Sequence, residues 1–168
     1  MQLTSFDAIV SALNEAGVKF LVVGGLAVNA HGYLRFTKDV DLVVRLATAD
    51  IVGTFQALAA IGYRPSVPIT AEQFANKDLR ESWRREKGML VLKMWSDAHA
   101  DTPIDIFVYE PFAFEPEFAR ALLVNPTGVP AVRYVSIPTL IAMKQEAHRP
   151  IDLVDIEKLR QIQGLQQE

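Results

Sequence analysis

The chain has 168 residues, half of them apolar, with a net charge of −3 and an isoelectric point of about 5.6. This suits one soluble globular domain, residues 1–168, with a sizeable core, and it excludes avid charge-driven binding to nucleic acid. Cysteine is absent, which excludes a disulfide framework and a thiolate metal site. The first residues lack a basic-then-apolar leader pattern and no apolar run reaches the length of a membrane span, so a cytoplasmic protein without membrane association is expected.

Phe6, Ile9, Val10 and Leu13 fall on one face of a helix, which Thr4 or Ser5 can cap and Gly17 can end. A strand over residues 18–23 follows, then a Gly24-Gly25 turn, a short helix over 26–30 and a second strand over 40–45. Thr48 or Asp50 can cap the next helix, whose stripe is Ile51, Val52, Phe55, Leu58 and Ala59. This strand–helix–strand–helix opening predicts an α/β or α+β domain with helices packed on a sheet. Pro65 and Pro68 predict a loop over 64–69, and Thr70-x-x-Gln73 is a capping-box pattern. The spacing predicts one polar helix from there to about Lys87, burying Phe74, Leu79 and Trp83 and stacking Lys77, Arg80, Arg84 and Lys87 in a basic stripe. Such a stripe is either a solvated face or a dock for a polyanion.

Residues 89–95 and 104–109 read as the two strands of an antiparallel hairpin, with Asp105, Phe107 and Tyr109 on one face of the second. Residues 111–130 read as irregular, with one helical turn near 118–122, and 132–135 as a short edge strand. A helix starting at Ser136 and Pro138 carries Leu140, Ile141, Met143 and Lys144. His148-Arg149-Pro150 breaks it, and a last helix follows with Leu153, Ile156 and Leu159 on its buried face. The core thus covers about 1–135 and a C-terminal helical part about 136–163.

The chemistry concentrates in Phe20–Arg45. Asp39 and Asp41 are two apart at the start of a strand, so both carboxylates project to one face. At about 4 Å and an effective dielectric of about 20 two such charges cost roughly 4 kcal/mol. Protonation, a basic neighbour or a cation between them removes that cost. Hard oxygens on a rigid strand suit Mg²⁺ (or Mn²⁺), which leaves coordination positions for phosphates. Gly24 and Gly25 at a helix start let the backbone approach a phosphate, although a plain strand-to-helix turn needs glycine as well.

Gly24-Gly25, residues 26–38 and then Asp39-x-Asp41, with Arg35-x-Thr37 ahead of it, resembles the signature of the nucleotidyltransferase superfamily related to DNA polymerase beta, in particular minimal nucleotidyltransferases and AbiEii-type toxins. The resemblance implies an α+β nucleotidyltransferase fold, a small mixed sheet flanked by helices with the C-terminal helices packed on the same domain. It implies an NTP substrate, divalent metal and transfer of NMP to an acceptor hydroxyl on tRNA, protein or a small molecule. A toxin–antitoxin or defence role, with a cognate toxin or antitoxin as partner, follows from the same analogy.

The resemblance makes Asp105 the third metal carboxylate beside Asp39 and Asp41. An Asp in the apolar run Ile104–Val108 is otherwise disfavoured, unless Lys93 or Arg133 pairs with it. Arg35 and Thr37 are candidates for phosphate contact or for local hydrogen bonding. Lys144 is either a nucleotide contact or an ion pair with Asp152 or Asp155 that ties the last two helices together. His31 and His148 read as structural, His99 as a surface residue. Two further readings stay open: a non-catalytic partner-binding module, and a structural domain whose Asp-x-Asp is incidental.

Overall fold

A computed structural model describes residues 1–125 and 127–166. The elements run α1 (Leu3–Glu15), β1 (Phe20–Val23), α2 (Gly24–Ala30), β2 (Val40–Val44), α3 (Thr48–Ala60), β3 (Arg64–Pro65), α4 (Ala71–Ala75), α5 (Lys77–Lys87), β4 (Val91–Trp95), β5 (Ile104–Phe107), α6 (Phe114–Arg120), β6 (Leu122–Val124), β7 (Val132–Tyr134), α7 (Ile137–Ala147) and α8 (Pro150–Leu165). The strands form one mixed sheet in the order β3-β4-β5-β2-β1-β7-β6. β1 is antiparallel to β2 and parallel to β7, and β5 is parallel to β2.

Strand alternation sorts the core into two layers. Phe20, Val22, Val40, Leu42 and Val44 meet Phe6, Ile9, Val10 and Leu13 of α1 and Ile51 and Leu58 of α3. Leu21, Val23 and Val43 face the other way, onto Ala27 and Val28 of α2, Leu140 of α7 and Leu159 of α8. Each fully buried Leu or Val of this kind contributes about 1.5–3 kcal/mol. Asp41 shares the parity of Val43, so it opens toward α2, α7 and α8.

Several local expectations are corrected. The polar helix is two helices: Asn76 takes an extended conformation (φ −76°, ψ 112°) and its side chain accepts from the Leu79 N–H. A capping side chain outcompetes helix continuation there. The break turns Arg80 inward, where it is 7% exposed and donates to the Phe74 carbonyl. Arg84 lies 3.7 Å over the Tyr109 ring, so the continuous basic stripe does not exist. Leu79 is exposed rather than buried, and so is Leu153 on α8, where Asp152 and Asp155 take the buried positions instead.

Residues 64–65 form a short edge strand, and the segment from 111 holds α6 and β6. β7 therefore sits inside the sheet, with β6 at the edge. His99 is half-buried, stacked on Tyr63 and hydrogen-bonded to Ser5 Oγ at 2.9 Å. The Thr70–Gln73 capping box and the β4–β5 hairpin are as expected. Among the described residues no helix is long and apolar enough to cross a membrane.

Candidate active site

Register places the chemistry in one row. Val23 pairs with Asp41, Asp41 with Asp105, and Asp105 with Lys93, across β1, β2, β5 and β4. Paired residues point to the same face, and neighbouring strands are about 4.8 Å apart. Asp41 and Asp105 are thus brought side by side, and Gly24 follows Val23 at the end of the row. Gly24 has φ 64°, a left-handed conformation that strains any residue with a Cβ. A Cβ there would also collide with the Asp41 carboxylate. The glycine keeps open the volume against that carboxylate.

Asp39 lies just ahead of β2, half-exposed, and its charge acts on Asp41 and Lys93. It does not line the cleft that Asp41 and Asp105 line. Among the described residues no three acidic or histidine side chains are gathered tightly enough to form a ready metal cage. Burial, then the negative charges of Asp105 and Asp39, push the Asp41 carboxyl up to about 6, while Arg149 and Lys144 pull it the other way. Asp105 Oδ1 lies 2.8 Å from Lys93 Nζ, an ion pair whose approach is off the hydrogen-bond direction. That oxygen is buried with no hydrogen-bond partner among the described residues. A buried carboxylate oxygen whose one neighbouring cation is a lysine, beside a second carboxylate of raised pKa, fits a site that could hold a divalent cation, with Lys93 as its internal substitute. Lys93 is held above the usual lysine range chiefly by its contact with Asp105.

Gly25 and its neighbours play a packing role. A Cβ on Gly25 would stand 2.6 Å from Thr37 Oγ1 and 3.1 Å from an Arg35 Nη. Thr37 is therefore seated on the glycine turn. Arg35 makes a bidentate pair with Asp155, Nε to Oδ1 and Nη2 to Oδ2, both at 2.8 Å. Lys144 is 3% exposed and donates to Asp152 at 3.2 Å and Asp155 at 2.6 Å. Of the two roles weighed for Arg35 and Lys144, the local one is formed. His31 Nε2 donates to the Val135 carbonyl at 2.7 Å, a structural bond.

Arg149 was read from sequence as part of the helix break and given no role at the site. Its guanidinium grips Asp152 at 2.8 and 3.1 Å, while its side chain stays 66% exposed and lines the cleft. Burial alone would raise the Asp152 carboxyl, but hydrogen bonds from Arg149 and the Lys144 charge hold it below the usual range. Arg35, Lys144 and Arg149 give this cluster one positive charge more than Asp152 and Asp155 remove. The signal was an Arg three residues ahead of an Asp at a helix start, which reads first as a cap.

The cleft has a volume of about 530 Å³ and is lined by Gly24, Asp41, Asp105, Lys144 and Arg149. Phe107, Tyr109 and Met143 line it as well. The chain matches no protein-family model and no curated protein sequence. Its fold is similar to that of the lincosamide antibiotic adenylyltransferase LnuA, solved with lincomycin bound, at a TM-score of 0.63 and 14% identity over 96% of this chain and 98% of that one. It is also similar to the antibiotic-resistance factor ANT(2'')-Ia (0.56, 17%, covering 95% and 80%). A third likeness is to an antigenic nucleotidyltransferase-like protein from Paracoccidioides brasiliensis (0.54, 15%, covering 93% and 73%). The mixed sheet, the glycine turn beside paired aspartates and these three likenesses together identify the architecture of this chain as the nucleotidyltransferase fold.

Proposed function

We propose that the protein is a nucleotidyltransferase that moves NMP from an NTP to a hydroxyl of a small-molecule acceptor. One observation carries this reading: Asp41 and Asp105 stand in register beside the open turn at Gly24, in a cleft that Arg149 also lines. The solved structures of similar fold include an adenylyltransferase that acts on an antibiotic, which supports a small acceptor. Asp41 and Asp105, joined by Asp39, would hold the divalent metal, Mg²⁺ or Mn²⁺. That ion would neutralise charge on the triphosphate as the bond to pyrophosphate breaks.

The residues do the rest. The Gly24 turn lets the phosphates approach the backbone, and Arg149 offers its exposed guanidinium to them while Asp152 holds it in place. Lys144, Arg35 and Asp155 fix the two C-terminal helices against the loop that leads into β2. Asp105, whose buried Oδ1 has Lys93 Nζ as its neighbour at 2.8 Å, would accept the proton of the attacking hydroxyl once that lysine is displaced. The acceptor oxygen then bonds to the α-phosphorus and pyrophosphate leaves with the bonding pair.

A second reading is favoured by Lys93 lying on Asp105. In it the fold is a non-catalytic module, such as one half of a toxin–antitoxin pair. One experiment decides. The protein is incubated with α-labelled NTPs, Mg²⁺ and three acceptor sources: hydroxylated small molecules, tRNA and cell protein. The first reading expects labelled small molecule and released pyrophosphate, both lost in Asp41→Asn. No label on any acceptor, together with melting unchanged by Mg²⁺ and NTP, overturns it.

A further inference from the structure

The lining of the cleft carries two kinds of chemistry, charged and apolar, and in-line displacement assigns them. The leaving pyrophosphate and the attacking oxygen lie on opposite sides of the α-phosphorus. Gly24 directly follows β1, so the phosphates that approach its turn lie on the β1 side of the Asp41–Asp105 pair. The acceptor then enters from the β5–β4 side.

That side is a trough with an apolar floor. Phe107 follows Asp105 by two residues on the same face, and Val91 of β4 is its register partner. Tyr109 continues the floor, its ring 5.8 Å from that of Phe107. Leu90, 52% exposed, and Met143 of α7 line the same cleft. At the mouth stand Arg84 and Glu146, one of each sign, and neither has an ion-pair partner among the described residues. Arg84 is committed to the face of Tyr109 at 3.7 Å.

Apart from Asp41 and Asp105, which the metal would occupy, and Asp152, which Arg149 and Lys144 hold, a polycationic acceptor would meet one carboxylate, Glu146, in a cleft that Arg84 also lines. An RNA acceptor would need a basic track, and the inward turn of Arg80 removes it. The whole cleft, about 530 Å³, must also hold part of the nucleotide, so the acceptor is compact.

We infer that the acceptor is a compact hydroxylated molecule with an apolar or aromatic face, seated on Phe107, Tyr109 and Met143. This rests on the transfer reaction proposed above. Three probes separate the possibilities: an aryl glycoside, a polyaminated sugar and total tRNA, each offered with α-labelled NTPs and Mg²⁺. Label is expected on the aryl glycoside. Tyr109→Ala and Met143→Ala are expected to raise its KM at least tenfold and to leave the KM for NTP unchanged, while Tyr109→Phe behaves as wild type. Label on the polyaminated sugar or tRNA alone overturns the inference, as does a rise in KM for NTP instead of acceptor.

Should no label pass to any probe, methyl resonances of the folded wild type still decide. A shift of the Met143 methyl on adding aryl glycoside, with none on adding polyaminated sugar, upholds the trough while the transfer reading fails. No shift overturns both.

Discussion

Replacing Asp41 by Asn removes a charge from a place that raises its energy, so the variant is expected to be more stable than the wild type while losing activity. The Asp41 carboxyl is pushed from 3.8 to about 6, first by burial and then by Asp105 and Asp39. A shift of about two units at about 1.36 kcal/mol each is about 3 kcal/mol. Its sign follows from which state holds the proton. Between pH about 4 and about 6 the folded protein keeps a proton that the unfolded chain has released, so stability falls as pH rises through that window. Above it the whole penalty is present, and below it the penalty vanishes. Asn keeps the shape and carries no charge. In chelator at neutral pH the variant should gain about 2–3 kcal/mol, which for a chain of this size is a Tm higher by about 5–10 °C. At pH about 4 the two proteins should unfold alike. Urea melts and calorimetry at both pH values measure this. A variant equal to or less stable than wild type at neutral pH would refute the claim that these carboxylates repel each other in a poorly solvated cleft.

Gly24→Ala should lose at least about 1–2 kcal/mol, since the left-handed turn is strained by a Cβ and the methyl meets the Asp41 carboxylate; denaturant melts check this, and the Mg²⁺–NTP stabilisation should vanish with it. Lys144→Met leaves Asp152 and Asp155 buried with Arg149 and Arg35 alone, and should cost about 3 kcal/mol by the same melts. Lys93→Met removes the cation that lies on Asp105, so calorimetric titration should find Mg²⁺ binding at least tenfold tighter than in wild type; unchanged affinity would mean that the metal does not contact Asp105.

Much of the fold was legible because its signals are local and periodic. The alternation in β2 and β5 located both aspartates on one face, and the antiparallel hairpin followed from strand spacing. What sequence could not supply was pairing between distant segments. Nothing local says that Asp41 sits opposite Asp105 in a parallel register, or that Arg35 finds Asp155 across the fold. The basic stripe failed because one residue, Asn76, can serve as a cap as well as continue a helix, and the spacing of charges is blind to that choice. On α8 the pattern expected a leucine inward at 153, whereas a cluster of ion pairs draws Asp152 and Asp155 inside and turns Leu153 out. Arg149 read only as part of the break between the last two helices, which concealed that its exposed side chain lines the cleft.

The bidentate clasp between Arg35 and Asp155 spans 120 positions of sequence. It fastens the stretch that delivers Asp39 and Asp41 to a helix near the end of the chain. The two segments must therefore be inherited, exchanged or redesigned as a unit. A chimera that imports a foreign last helix without an acid at 155 would leave an arginine stranded beside the aspartate strand, and its defect would surface at the far end of the gene from the splice.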